Sequence, residues 1–201
     1  DLHSFPTRRS SDLHIGAKYD GGTLGGTLSI FRVNKPRTVL GDDRVVRESG
    51  EQRNQGVELS MYGQLVPTLR VLGGATFLKA ENTKTQGGID QGKTVIGVPE
   101  TQANIGVEWD LLTSLSVDGR VVYTSSQMAN ASNTLEIPGW TRLDLGARYS
   151  LAWADKTMTV RARIDNVTDR NYWASVGGSF DANYMVLGGP RTFVLSASLD
   201  F

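Results

Sequence analysis

Gly56–Leu65 reads GVELSMYGQL. Val57, Leu59, Met61 and Leu65 share one side of an extended chain, with Gly63 among them, while Glu58, Ser60, Tyr62 and Gln64 share the other. Side chains of a strand alternate between its two faces, so a period of two with one apolar and one polar set describes a strand between unlike environments. The pattern recurs downstream. Gln102–Asp110 alternates Ala103, Ile105, Val107 and Trp109 with Gln102, Asn104, Gly106, Glu108 and Asp110. Leu115–Thr124 alternates Leu115, Val117, Val121 and Tyr123 with Ser116, Asp118, Arg120 and Thr124. Thr141–Leu151, Thr157–Asp165 and Phe193–Phe201 follow the same rule. His14–Tyr19, Thr23–Val33 and Leu69–Ala80 are Gly-rich and less regular, the last apolar on both sides. The expectation is about nine strands with no helical period between them.

The connections sort by length. Those near Asp20-Gly21-Gly22, Val66-Pro67-Thr68, Leu111–Ser114 and Ala152–Lys156 are short; those over Asn34–Arg53, Glu81–Pro99, Gln127–Gly139 and Thr168–Pro190 are long and polar. Short and long alternate, so an up-and-down meander puts all short turns at one end and all long loops at the other. Transmembrane barrels have that asymmetry, whereas a β-sandwich gives no reason for it.

The polar side carries full charges: Glu58, Glu108, Asp118, Asp144, Asp165 and Asp200 with Arg120, Arg142, Arg148, Arg161 and Arg163. A dry core does not accept so many ions. A hydrated or polar-plugged lumen does, and it lets opposite charges on neighbouring strands pair. A sheet with one solvated face also alternates, but strand length and loop sorting favour the barrel. Trp109, Tyr123, Trp140, Tyr149 and Trp153 fall near strand ends, where interfacial girdles sit.

Composition narrows the function classes. The 201 residues are 21% charged and 39% apolar, with net charge zero, which gives no electrostatic reason for a nucleic-acid partner. There is no cysteine, and His3 and His14 are the only histidines, too few for a histidine-based metal site or triad. No apolar run is long enough for a transmembrane helix, which says nothing about transmembrane strands. His3–Leu13, HSFPTRRSSDL, equals the first-frame translation of a common sequencing-adapter string. Residues 1–13 are therefore expected to be non-native and to make no strand pairing, with residues 14–201 forming the barrel segment.

Several segments, in order, resemble the C-terminal half of TonB-dependent receptors of the siderophore class. They are Gly50–Glu58 (GEQRNQGVE); Val98-Pro99-Glu100 followed by Gln102-Ala103-Asn104; Ile137–Trp140 leading to Asp144–Tyr149; Asp165–Trp173 (DNVTDRNYW); and Gly188–Arg191 before the final strand. The resemblance implies an all-β, antiparallel up-and-down transmembrane β-barrel of roughly 22 strands closed around an N-terminal plug, of which this chain supplies about nine C-terminal strands. It implies residence in the Gram-negative outer membrane. It implies uptake of iron–siderophore complexes driven by TonB acting through a plug domain that this sequence lacks. It also implies that Phe201 is a terminal aromatic read by the barrel-assembly machinery. Heme, cobalamin or a sugar are alternative ligands within the family. An outer-membrane esterase or protease barrel and a secreted adhesin domain are alternatives outside it.

The long segment Thr168–Gly189 carries Tyr172, Trp173, Phe180 and Tyr184 among Gly, Ser and Asn, a surface suited to a bulky, partly aromatic chelate. The competing role for Tyr172 and Trp173 is to anchor a strand end. Asp165, Asn166 and Asp169 could offer oxygens to calcium, but a turn with lumen hydrogen bonds suits them better, and no metal or cofactor is expected. Glu58, Glu108, Asp118, Arg120, Arg142, Asp144, Arg148, Arg161, Arg163 and Asp165 read as electrostatic pairing within the wall and toward a plug. No nucleophile stands with a base, so no enzyme is expected.

Overall fold

The structure, a computed structural model, describes residues 11–40, 44–153, 156–179 and 182–200. Phe180 and Phe201 lie outside the described residues. The strands in chain order are β1 (Ser11–Asp20), β2 (Leu24–Leu40), β3 (Val46–Val66), β4 (Leu69–Lys84), β5 (Thr101–Leu112), β6 (Leu115–Thr124), β7 (Gln127–Met128), β8 (Glu136–Ile137), β9 (Trp140–Trp153), β10 (Lys156–Asp165), β11 (Trp173–Ser179), β12 (Ala182–Leu187) and β13 (Thr192–Leu199). One 3-10 turn, Gln86–Gly88, follows β4. Nine strands form one sheet in the order β1-β2-β3-β4-β5-β6-β9-β10-β13, and the ribbons β7–β8 and β11–β12 stand apart from it. Every pairing is antiparallel, as a meander requires.

The register joins the alternating residues of each strand into two continuous faces. Along the apolar face, Ile15 meets Ile30, Ile30 meets Val57 and Val57 meets Phe77. Farther across, Ile105 pairs with Val121, Val121 with Leu143, and Ile164 with Phe193. These side chains are not buried in the chain itself: Ile15 is 67% exposed, Ile30 57%, Leu145 42% and Leu195 76%. Such an exposed apolar band cannot face water at this size. Trp109 and Tyr149 lie at its short-turn end, and Phe77 and Tyr123 toward its long-loop end, consistent with aromatic girdles.

Four sequence expectations are corrected. Residues 11–13 were expected to stay unpaired, yet Ser11, Asp12 and Leu13 pair with Asn34, Val33 and Arg32. Ladder bonds are main-chain properties, and β2 is long enough to template them. Asn34–Arg53 was expected as a loop, but β2 and β3 continue pairing through it, to Leu40 and Val46, with a bulge between Arg37 and Val39. The alternation fades there although the ladder persists; beyond an apolar band both faces meet polar surroundings, so the sequence loses its period before the backbone loses its partners. Likewise β4 runs past Ala80 to Lys84. Finally, the loops Gln127–Gly139 and Thr168–Pro190 contain the ribbons β7–β8 and β11–β12.

The buried apolar cluster lies in the loops, not in the sheet. Ala129, Ile137 and Val176 are buried together, with Ile96 and Trp173 packed against them. Each of three long connections contributes to this cluster.

Candidate ligand-facing loops and charged wall

The loops over the strand ends are tied to one another by backbone and amide bonds. The amide of Gly97 donates to the Met128 carbonyl at 3.0 Å. Thr94 N–H donates to Asn133 Oδ1 at 2.7 Å, and Asn133 Nδ2 returns a bond to the Thr94 carbonyl at 3.0 Å. Asn130 Oδ1 accepts from the amides of Thr134 and Leu135, closing the 130–135 turn. Asn82, 2% exposed, accepts from the Arg37 guanidinium, linking β2 to β4 beneath the loops.

The hairpin β11–β12 is fastened at its base. Asp144, 3% exposed on β9, accepts the Asn166 amide at Oδ1 (2.9 Å) and the Arg142 guanidinium at Oδ2 (2.9 Å). Asn166, 1% exposed and at φ +53°, donates to the carbonyls of Arg170 and Gly189 and accepts the Arg170 amide. Arg142 donates to the Tyr172 hydroxyl at 3.3 Å, and the Tyr172 ring lies 4.4 Å from that of Trp140. Asp169 accepts both the backbone amide and the guanidinium of Arg191. That double acceptance holds the Asp169 carboxyl below its ordinary range.

The sequence-derived site residues separate accordingly. Tyr172 and Trp173 are held in packing, Tyr172 against Trp140 and over Gly188, and Trp173 in the loop cluster. Tyr184 is 63% exposed, its ring lying over Gly177 across the ribbon. Beside it, Met185, Val186 and Leu187 are 46%, 45% and 67% exposed. The three oxygen-bearing residues weighed for calcium point elsewhere: Asp165 to Arg163 at 2.6 Å, Asn166 to backbone, Asp169 to Arg191.

On the charged face the register brings the expected residues together near the short-turn end. Glu108 accepts from Arg70 at 2.8 Å and Arg148 at 2.7 Å. Arg70 also reaches Asp110 at 2.8 Å, and Ser116 closes the ring by donating to Asp110 and accepting from Arg148. Asp110 and Ser116 were read onto the polar side but not into the charge network, and Arg70 was not read at all; Arg70 sits at the polar parity of β4, the strand whose apolar residues on both faces hid its period. Asp118 folds over Gly146, where a Cβ would displace it. Among the described residues Glu58, Asp118 and Arg120 make no ion pair, and Arg161 reaches only the Ser198 hydroxyl, at 3.5 Å. A concavity of about 470 Å³ opens on this face, its lining including Gln64, Arg70, Leu72, Glu108, Asp118 and Arg120.

A meander with one exposed apolar face, one charged face and long loops sorted to one end is the wall of a membrane barrel. A sequence profile of the family "TonB dependent receptor-like, beta-barrel" matches residues 8–167. This chain belongs to the TonB-dependent receptor β-barrel family. It is thus an outer-membrane barrel segment of a Gram-negative cell. The ferrichrome receptor FcuA of Yersinia enterocolitica is 40% identical over 195 residues, covering 96% of this chain and 26% of that protein. Among solved structures, BauA, the ferric preacinetobactin receptor of Acinetobacter baumannii, superposes with a TM-score of 0.88 at 40% identity, over 98% of this chain and 30% of that one. The siderophore receptor PiuA of the same organism superposes with a TM-score of 0.82 at 25% identity, over 94% of this chain and 28% of that one. The chain spans roughly a quarter to a third of the length of these relatives.

Proposed function

We propose that this chain is the C-terminal barrel segment of a receptor that takes up iron–siderophore complexes across the outer membrane, energised by TonB through a plug domain. The observation that carries the reading is the pairing of a charged wall with a welded loop assembly, in a chain 40% identical over nearly its whole length to a ferrichrome receptor. In this reading the apolar face meets outer-membrane lipid and the charged face lines the lumen. The unpaired Glu58, Asp118, Arg120 and Arg161 are then available to polar groups of a plug. The charge-paired ring around Glu108 holds four strands in register near the periplasmic end. The loop assembly presents Tyr184 and the apolar edge of β12 to an incoming chelate, while Tyr172 and Trp173 hold that hairpin in place. No enzymatic step is assigned; the acids and bases of the ring around Glu108 are paired with one another. The barrel-assembly machinery is proposed as the partner that inserts the protein.

The test is uptake by the full-length receptor that contains this segment. In a strain lacking other iron-chelate receptors, it should restore growth on hydroxamate or catecholate iron chelates, and removal of TonB should abolish that growth. Growth restored by heme or cobalamin but by no iron chelate would replace the siderophore reading with the other ligand class.

A further inference from the structure

We infer that the charged face carries, between Arg148 and Arg161, a binding site for a small oxyanion: the phosphate or carboxylate group of a solute. The inference rests on the reading that this face lines the lumen, and it narrows Arg161 from a general plug contact to a ligand group. Arg148 and Arg161 are direct register partners on β9 and β10. Like charges set opposite each other on a ladder repel. The two side chains turn apart. Arg148 donates to Glu108 at 2.7 Å and to Ser116 at 3.1 Å, toward β5 and β6. Arg161 reaches the other way, to the Ser198 hydroxyl on β13 at 3.5 Å. The next row toward the short turns is Ser150, Thr159 and Ser198, and Ser196 stands beside Arg161 on β13. Two guanidiniums and a set of hydroxyls therefore surround one spot.

The nearby carboxylates are committed elsewhere. Glu108 accepts from Arg70 and Arg148, Asp110 from Arg70 and Ser116, and Asp165 from Arg163. Asp118 stands one row toward the loops, folded over Gly146, and makes no ion pair among the described residues. The row that runs Asp110, Ser116, Arg148, Arg161, Ser196 thus carries two cations, and its one acid already has its own cation in Arg70. A concavity of about 610 Å³ opens over this row, with Arg148, Ser150, Thr159 and Arg161 in its lining. That volume is in the range of small-molecule sites. A guanidinium offers paired N–H donors that match two oxygens of a carboxylate or phosphate. The hydroxyls can donate to the remaining lone pairs. A metal cation is repelled by the same two guanidiniums. The site lies toward the short turns, away from Tyr184 and the loop assembly, so it is separate from the surface proposed to meet the chelate.

The test is labelling of the full-length receptor, in nonionic detergent and chloride buffer, with an arginine-selective dicarbonyl reagent read residue by residue by peptide mass spectrometry. Arg161 should label faster than Arg70 and Arg148, which Glu108 holds. Inorganic phosphate or succinate at millimolar concentration should slow Arg161 labelling several-fold, and chloride at equal ionic strength should not. The variant R148Q should need on the order of tenfold more phosphate for the same protection, the loss of one charged donor, and R148K should keep most of it. Heat-modifiable electrophoretic mobility checks that each barrel is closed. Labelling of Arg161 that phosphate and succinate leave unchanged would overturn the site, as would equal slowing by chloride. An Arg161 that resists the reagent with no oxyanion added is already covered by the plug, which also overturns it. A ferric tricarboxylate complex distinguishes two sources of the same group. Protection at lower concentration than succinate assigns the oxyanion to an iron chelate within the lumen, and protection by the free anions alone assigns it to a free solute. Iron-chelate binding measured on the same samples separates the two readings: its absence with Arg161 protection intact refutes the receptor function alone, and its presence with no protection refutes this site alone.

Discussion

Asn166 stands at φ +53° with almost no exposure, and its side chain and amide make four hydrogen bonds that join β9, the 165–170 turn and Gly189. Asn tolerates the left-handed region better than most residues, and here its amide also substitutes for missing backbone partners. Asn166→Gly keeps the dihedral and loses the side-chain bonds, so about 2–3 kcal/mol of local stability should go. Asn166→Ala adds backbone strain and should lose about 1 kcal/mol more. Hydrogen exchange of the amides between Val167 and Arg191 in the full-length receptor reads both; unchanged protection in either variant would show that the turn does not hold the hairpin. The neighbouring Asp169 gives a pH signature. Its carboxyl is lower in the folded than in the unfolded state because it accepts from Arg191. Its contribution is therefore complete above the ordinary carboxylate range and is lost as pH falls through the lower folded value. Loop protection should decline at acid pH in wild type, and Asp169→Asn should remove that part of the decline.

The hairpin β11–β12 shows what sequence can and cannot convey about an element. Its aromatic residues were visible as candidates for ligand contact, and the structure holds Tyr172 and Trp173 in packing while Tyr184 is exposed. Tyr172 is fixed by Trp140 and Arg142, both from β9, far away in sequence. No local period reports such a contact. The strands of the main sheet were legible because each faces two environments, and alternation records that directly. The outer parts of β2 and β3 were not legible, since polar residues on both faces leave only the ladder to define the strand. Arg70 was hidden for the opposite reason, an apolar partner set on both faces of β4. Two substitutions separate anchoring from contact in the hairpin. Tyr172→Ala should loosen the whole ribbon, raising protease cleavage between Trp173 and Leu187 and weakening chelate binding together. Tyr184→Ala should leave cleavage unchanged and weaken chelate binding by roughly 5- to 50-fold, the loss of about 1–2.3 kcal/mol of aromatic contact. If Tyr184→Ala binds like wild type while Tyr172→Ala does not, the ribbon positions other loops and does not touch the ligand itself.

For the whole molecule, the decisive feature is that the nine-strand sheet does not close on itself. Among the described residues β1 pairs only with β2, and β13 only with β10, so each has one edge of unpaired backbone. In lipid each unsatisfied backbone group costs several kcal/mol, because no water replaces the missing partner. In water the same edges template aggregation, and the exposed band from Ile15 to Leu195 adds to the drive. The side-chain links cannot offset this: the ring around Glu108 is more than a third exposed at Arg70, Glu108 and Arg148, so each pair contributes at most about 1 kcal/mol. Residues 14–201 expressed alone should therefore form no monodisperse species in detergent. Co-refolding with the N-terminal remainder of the full-length receptor supplies partners to both edges at once, and it should yield a heat-modifiable species that neither part gives separately. Supplying only a polar plug-like domain should not, because it satisfies the charged face and leaves the edges open. A monodisperse, heat-modifiable product from residues 14–201 alone would mean that the sheet closes by pairing β1 with β13 or with a second copy, and the reading of this chain as part of a larger ring of strands would have to be abandoned.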